Sequence, residues 1–167
     1  MDTTQLTKGE SRVNIGIAES NRAKVVEILT LILADENLLY IKLRNYHWNV
    51  EGMFFAPLHE LFEEQYDKIA DYIDDIAERI RSLGYYSIGS MEDFKKVGRL
   101  SETDHLGGDA KLMLQNLLAD NEMIIKTLRN NVDEVQDQLR DAGTADFLTG
   151  LMQAHEKMAW MLRSHLA

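Results

Sequence analysis

The chain has 167 residues, of which 45% are hydrophobic and 28% charged, a balance that fits one globular domain. It contains no cysteine, which excludes disulfides and cysteine-bound zinc, and no run of about 18 apolar residues, which excludes a membrane-spanning helix. Because no basic-then-apolar leader opens the chain, we expect a cytoplasmic protein. The net charge of −10 disfavours general attachment to nucleic acid and suits a protein that attracts cations.

Helix signals dominate the chain from its first third onward. A single proline, with glycines mostly at segment ends, predicts long helices and an all-α fold. Residues 1–20 show no sustained period and are expected to form an extended or mobile arm, leaving 21–167 as the folded domain. Apolar residues at three- and four-residue spacing predict a first helix from about Asn21 to between His47 and Val50.

A second helix is predicted from Pro57, which suits a helix start, to Leu83, just before the stop signal of Gly84. The segment that begins with Ser90-Met-Glu-Asp predicts a short capped helix, followed by a loop over residues 98–108.

The third helix is predicted from near Asp109 to Arg140, where Gly143 breaks it. Thr144 is the expected cap of a fourth helix that runs to about Leu166. Four long helices, with a connection of about 22 residues between the second and third, match the ferritin-like variant of the four-helix bundle.

Imidazole and carboxylate side chains gather at the end of the first predicted helix and along the second. They are His47, His59, Glu63, Asp74 and Glu78. This donor mix suits iron, manganese or zinc better than calcium or magnesium. The four on the second helix lie about 100° to 200° away from its apolar stripe, where acids are also typical of a face in contact with solvent. Periodicity alone leaves both interpretations open.

The spacing along the second helix separates these side chains into two pairs. His59 and Glu63 are one turn apart, as are Asp74 and Glu78, so each pair can share an ion. His59 and Asp74 are about 22 Å apart along the axis, too far for one ion at about 2 Å from each ligand. Both pairs nevertheless face the same way, within about 20°. Two antiparallel second helices crossing near Lys68 would join opposite pairs, so that a two-fold dimer holds two sites built from both chains.

The usual di-iron bundle carries a Glu-x-x-His motif on each of two helices. This chain has one such motif, Glu102 to His105, in the glycine-flanked connection, where a loop role is expected. The missing second motif argues against an ordinary centre within one chain and leaves a centre between chains as the metal option.

Five segments of the sequence resemble the Dps family of mini-ferritins, named for a DNA-binding protein from starved cells. The likeness spans about residues 21–166, and the spacing His-x11-His-x3-acid-x10-Asp-x3-Glu is specific. The segments are Tyr46-His-Trp-Asn-Val-Glu-Gly, Leu58-His-Glu-Leu-Phe-Glu, Asp74-Asp-Ile-Ala-Glu-Arg-Ile, Leu118-Ala-Asp-Asn-Glu and Gly143-Thr-Ala-Asp-Phe-Leu-Thr.

The resemblance implies that His47, His59, Glu63, Asp74 and Glu78 are ferroxidase ligands shared across the two-fold interfaces of a homododecameric shell. Such an enzyme oxidises Fe²⁺ with hydrogen peroxide or O₂ and stores the ferric product as mineral, which protects DNA and the cell from oxidative damage. Two neighbouring ions with open positions allow a two-electron reduction of peroxide. The family often has aspartate in place of Glu63, and the extra methylene bears on where the second iron binds.

Aromatic and sulfur side chains near these segments have alternative roles. Trp48 is a candidate catalytic residue, and both it and Tyr46 are expected either to pack the site or to intercept stray radicals. Trp160 is expected in the core. Three methionines of the last helix are expected to fill the core or an interface: Met152, Met158 and Met161.

Three acids bracket the turn between the third and fourth helices, namely Asp137, Asp141 and Asp146. The resemblance places the Asp146 region at a three-fold pore whose acids draw in Fe²⁺. Acids at a helix start are also common because they stabilise the helix dipole, so the pore is one of two interpretations.

Family members that bind DNA commonly carry a lysine-rich terminal arm. Besides the amino terminus, the first 20 residues hold only Lys8 and Arg12 as cations, against the acids Asp2, Glu10 and Glu19. A twelve-subunit shell would carry a formal charge of about −120, whereas attachment to a duplex needs clustered cations. We therefore predict weak or absent DNA binding.

Two other functions remain open at this point. One is a nucleoid-compacting shell in which iron handling is secondary, and the acidic arm argues against it. The other is a module for a different ion, since the same ligands accept Zn²⁺, which cannot change valence and would compete with iron.

Overall fold

A computed structural model describes residues 8, 9, 13–102 and 107–167 of the chain. Within this part the fold is all-α, as predicted, apart from one isolated antiparallel bridge between Lys8 and Tyr85, and none of its helices is both long and apolar enough to cross a membrane. The helices are α1 (Glu19–Asn49), α2 (Phe55–Ser82), α3 (Met91–Val97), α4 (Ala110–Asp133), which continues into a π-helical turn (Glu134–Gln138), and α5 (Ala142–His165).

The long helices form two antiparallel pairs. α1 packs along α2, α4 packs along α5, and the two pairs share one hydrophobic core. The short α3 lies in the connection between α2 and α4 and packs against α1. This confirms the predicted ferritin-like bundle with a long crossover that carries a short helix.

The apolar stripe of α2 faces the bundle interior. At 100° per residue, the helical period places seven apolar side chains on this stripe, of which Ile73 is half-buried and the other six are buried. Removing a side chain of this size from water contributes about 1.5 to 3 kcal/mol. The six are Leu58, Phe62, Ile69, Ile76, Ile80 and Leu83. Because the stripe fixes the rotation of α2, the polar side chains on its other faces are directed away from the core.

The crossover is tied to α1 by an ion pair between Arg99 and Asp35, whose carboxylate is buried. Asp35 is buried and accepts hydrogen bonds from the backbone N–H of Arg99 at 2.6 Å and from its Nε at 2.8 Å. Ser90 caps α3 as predicted, with its hydroxyl accepting from the Asp93 N–H at 3.1 Å. These bonds hold the connection against the bundle.

The turn before α5 differs from the prediction. The sequence suggests a break at Gly143 and a cap at Thr144, whereas Gly143 lies inside the first turn of α5 and Asp141 is the cap. The Asp141 carboxylate accepts from the Thr144 N–H at 3.0 Å, a bond that stabilises a helix start. The chain reverses at Arg140, whose φ of 59° is the left-handed backbone that glycine usually supplies.

Trp160 is 60% exposed, so its predicted core position is wrong for the single chain. α5 buries Met158 and Leu162. Trp160 is two residues from each of them, which rotates its side chain about 200° round the helix and away from the core. Met152 is also buried and Met161 is half-buried, which confirms the core-filling role predicted for the methionines.

Most of the predicted N-terminal arm lies outside the described residues, as does His105 of the Glu102-to-His105 motif. Residues 8 and 9 lie beside the end of α2, where the Gly9 N–H donates to the Gly84 carbonyl at 2.8 Å. Lys8 pairs with Glu19 at the start of α1, with Nζ and Oε1 2.5 Å apart.

Candidate metal centre

Two histidine rings stack where α1 ends and α2 begins. The ring centroids of His47 and His59 are 3.6 Å apart, with 21° between the ring planes. His47 Nδ1 lies 2.8 Å from the backbone carbonyl of His59, and His59 Nδ1 lies 2.8 Å from the carbonyl of His47. A carbonyl oxygen only accepts, so each Nδ1 carries the proton, and in the neutral ring each Nε2 keeps a lone pair. The pair therefore presents two Nε2 lone pairs in fixed orientations.

Local sequence explains why the rings meet. α1, which carries His47, ends at Asn49, and α2, which carries His59, begins at Phe55. Only a short turn therefore separates the two helices. The turn passes through Gly52, whose φ of 105° is accessible to glycine and strained for other residues. His47 is 8% exposed and His59 is half-buried, which places both rings at the edge of the core.

Glu63 lies one turn after His59 and is exposed. The Tyr66 hydroxyl donates to Glu63 Oε1 at 3.1 Å, and the Tyr66 ring contacts His47 edge-on, with 5.4 Å between ring centroids. Loss of hydration raises the pKa of Tyr66 above its ordinary value, and the bond to Glu63 raises it further. Tyr66 therefore stays a neutral donor that fixes the orientation of the Glu63 carboxylate, while its ring packs against His47.

Asp74 and Glu78 are exposed farther along α2 and do not meet the histidines of their own chain. Their separation from His59, about 22 Å along the helix, is set by the sequence spacing itself. Across the described ranges, no three imidazole or carboxylate groups of one chain lie close enough to hold an ion. The structure thus brings His47 and His59 together, whereas Glu63, one turn along α2, forms no ion-sized cluster with them and the second acidic pair lies farther away.

Trp48 is 63% exposed, so it does not pack within the core of its own chain. Its ring is covered by the Arg44 guanidinium, with 4.9 Å between the guanidinium carbon and the ring centroid. Tyr46 is 1% exposed and does pack in the core, where its hydroxyl accepts from Asn116 at 3.2 Å. The exposed apolar side chains at this end of the α1–α2 pair are Trp48, Met53, Phe54 and Phe55.

The three candidate pore acids lie in two different environments. Asp137 and Asp146 are exposed at either side of the turn before α5. Asp141 is 2% exposed, caps α5 and accepts from Arg79 Nη2 at 3.0 Å. Its carboxylate is fully engaged within the chain, so Asp141 is removed from the set of pore acids.

Sequence reasoning missed a buried polar group between the helices. Glu36, Asn121 and His155 are each 0% exposed and hydrogen-bonded to one another across α1, α4 and α5. The available signal was a glutamate and a histidine at positions where the helical period calls for apolar side chains.

Comparisons with known proteins agree that the chain is similar to ferritin-like and Dps proteins. The ferritin-like domain family matches residues 26–167. An uncharacterized low temperature-induced protein of Nostoc sp. is 49% identical over 93% of this chain and 87% of its own length. DNA protection during starvation protein 2 of Bacillus anthracis is 37% identical over 86% of this chain and 97% of its own length.

A solved structure extends the comparison to the fold. The Dps protein from Vibrio cholerae O1, described as a member of a broad superfamily of ferritin-like diiron-carboxylate proteins, superposes with a TM-score of 0.86. It is 28% identical and aligns over 94% of this chain and 100% of its own.

Proposed function

Since the chain belongs to the Dps family of ferritin-like proteins, we propose that it is a ferroxidase that oxidises Fe²⁺ with hydrogen peroxide or O₂ and stores the ferric product. The observation that carries this proposal is the His47–His59 pair, whose Nδ1 atoms are bonded to backbone carbonyls, so that both Nε2 atoms are available as ligands. Neutral imidazoles fixed in this way are good ligands for iron. Glu63 adds a carboxylate from the same chain.

The rest of the site comes from a second chain in this proposal. When two copies of α2 cross antiparallel near Lys68, the His59 end of one lies beside Asp74 and Glu78 of the other. Two features support this pairing. Asp74 and Glu78 are exposed, and the cluster of Trp48, Met53, Phe54 and Phe55 is an apolar patch that a partner subunit would cover. The position of the second iron would then depend on Glu63, whose side chain is one methylene longer than the aspartate often found in the family.

Six such dimers would close into the homododecamer that the resemblance implies. Asp137 and Asp146 are the proposed acids of an iron entry pore at the three-fold axes, where their charge would raise the local concentration of Fe²⁺. We also propose a cytoplasmic location, which the absence of cysteine favours.

Iron is the substrate of the proposed reaction. Two Fe²⁺ ions each give up one electron, and hydrogen peroxide with two protons accepts both electrons to form two water molecules. Pairing the electrons avoids the hydroxyl radical that a single Fe²⁺ would release, which is how the reaction would protect DNA. The protein holds the ions through His47, His59 and the carboxylates and leaves open positions for the oxidant. Zn²⁺ fits the same donors but has one valence, so it would compete with iron and block turnover.

The stoichiometry of oxidation tests this proposal. Anaerobic protein mixed with Fe²⁺ and limiting hydrogen peroxide should oxidise about two Fe²⁺ per peroxide, because both electrons of one reduction come from a single site. The ferric product should stay soluble and migrate with the protein, and a spin trap should detect less hydroxyl radical than in protein-free buffer. A ratio near one with undiminished radical, or a ferric precipitate free of protein, would contradict it.

A DNA-compacting shell is the alternative, and a gel shift separates the two functions. At about 150 mM salt we expect no stable complex with duplex DNA, because the attachment of acidic shells requires cationic clusters. Lys8, one of the few cations of the arm, is paired with Glu19. A clear shift at that salt concentration would overturn the prediction, and its loss on truncating residues 1–20 would locate the DNA contact in the arm.

A further inference from the structure

One tyrosine contacts both kinds of side chain in the proposed ferroxidase site. The Tyr66 hydroxyl donates to one carboxylate oxygen of Glu63 at 3.1 Å, and the Tyr66 ring meets the His47 ring edge-on, with 5.4 Å between the centroids. Tyr66 follows Glu63 by three positions, so both side chains lie on the same surface of α2. A single side chain therefore contacts an imidazole and a carboxylate that the proposed function assigns to iron.

The Tyr66 ring is held in place by α1. The Tyr40 ring packs against it edge-on, with the centroids 6.0 Å apart and 89° between the ring planes. Arg44 donates from Nη1 to the Tyr40 hydroxyl at 3.3 Å, and its guanidinium carbon lies 5.5 Å from the centroid of the Tyr40 ring. Both tyrosines are half-buried, so these contacts are partly shielded from water. A ring held by a neighbouring helix directs its hydroxyl to one place.

The bond from Tyr66 changes what Glu63 can offer to an ion. Glu63 is exposed, and a glutamate in water samples several side-chain rotamers. The bond selects one orientation before an ion arrives, which reduces the entropy lost on binding. It also engages one carboxylate oxygen and leaves the other to bind the ion. A carboxylate that binds through one oxygen occupies a single coordination position, so more positions stay open for the oxidant.

We propose that Tyr66 is a positioning residue of the ferroxidase, whose hydroxyl holds Glu63 by one carboxylate oxygen so that the other oxygen is offered to iron. This inference rests on the proposed function and names a residue that acts on iron through Glu63. Loss of the hydroxyl should weaken one of the two ions bound at each site. The ion that depends on the histidine pair should be affected less, because Tyr66→Phe keeps the ring that packs against His47.

Cobalt binding to Tyr66→Phe tests the proposal without the oxidation reaction. In equilibrium dialysis the parent protein should bind about two Co²⁺ per chain, since imidazole and carboxylate ligands suit this ion. In the variant, the dissociation constant of one ion should rise about 10- to 100-fold, the usual cost of losing a hydrogen-bond partner of a ligand. The matched control is Tyr86→Phe, the same change at a tyrosine that is 48% exposed beyond the end of α2, which should leave both constants unchanged.

The kinetics of Fe²⁺ oxidation separate positioning from a general structural defect. Tyr66→Phe should raise the Fe²⁺ concentration at half-maximal rate and leave the rate at saturating Fe²⁺ unchanged, as expected when a contribution to binding is lost. A structural defect would instead remove a fraction of the sites. A lower saturated rate at an unchanged half-saturating concentration would therefore overturn the proposal.

A double-mutant cycle with Glu63→Ala shows whether Tyr66 acts through Glu63. Adding Tyr66→Phe to the Glu63→Ala variant should weaken cobalt binding by no more than about twofold further, because the carboxylate that the hydroxyl holds is already absent. Additive losses, or a Tyr66→Phe variant that binds Co²⁺ as tightly as the parent does, would overturn the role of Tyr66 and leave the proposed ferroxidase intact. A parent protein that binds no Co²⁺ would overturn both.

Discussion

The double variant His47→Ala/His59→Ala is expected to oxidise Fe²⁺ at least about 100-fold more slowly than the parent protein, measured as the initial rate of ferric absorbance after peroxide addition. The reason is that each site loses both of its nitrogen ligands, while the carboxylates alone hold Fe²⁺ weakly and without a fixed geometry. Each removed ring also accounts for one of the two 2.8 Å bonds that lock the pair.

The control for this prediction is His165→Ala. His165 is an exposed histidine at the end of α5, bonded to the Met161 carbonyl at 2.9 Å and remote in sequence from the proposed ligands. It should leave the rate unchanged. Both variants should still elute as a particle of about 230 kDa, twelve times the 19.2 kDa chain. An unchanged oxidation rate in an intact double variant would remove the histidine pair from the mechanism.

Replacing Asp141 by alanine should lower the free energy of unfolding by about 2 to 3 kcal/mol. The variant loses the cap of α5, and it leaves Arg79 without the buried carboxylate that lies 3.0 Å from its guanidinium. The Thr144 hydroxyl, which lies 2.6 Å from the same carboxylate, also loses its partner. Because Arg79 is partly exposed, solvent recovers some of the loss, which keeps the figure below that of a fully buried pair. Urea unfolding at fixed protein concentration measures it.

Asp146→Ala is the matched variant, since Asp146 is an exposed acid in the first turns of the same helix. It should change the unfolding free energy by less than about 0.5 kcal/mol. Its effect should instead fall on iron uptake, where the entry pore proposed for Asp137 and Asp146 predicts a slower rate at low Fe²⁺. Equal destabilisation by the two variants would mean that the cap and the Arg79 pair do not set the geometry of this turn.

The parts of the fold that sequence predicts well are those controlled by short-range order. The stripe of α2 follows from a helical period that can be counted on the chain, and the burial of Phe62 and Ile69 agrees with that count. The meeting of His47 and His59 follows in the same way, because a turn of a few residues joins the two helices that carry them.

The parts that sequence does not predict depend on contacts between distant elements. Arg140 takes a left-handed φ next to Asp141, which Arg79 binds from another helix, and no local sequence pattern signals that contact. The Glu36–His155 bond joins residues 119 positions apart, so neither residue carries a local sign of its partner. The core position predicted for Trp160 is wrong for the single chain because the angle of this residue on α5 directs its side chain away from the core.

Subunit mixing tests the shared site most directly. Chains carrying His47→Ala/His59→Ala and chains carrying Asp74→Asn/Glu78→Gln, each inactive alone, are unfolded together and reassembled in equal amounts. In a mixed dimer, one of the two sites receives intact histidines from one chain and intact acids from the other, so random pairing should restore about a quarter of the parental oxidation rate. Activity no higher than that of the separate variants would contradict a centre assembled from two chains.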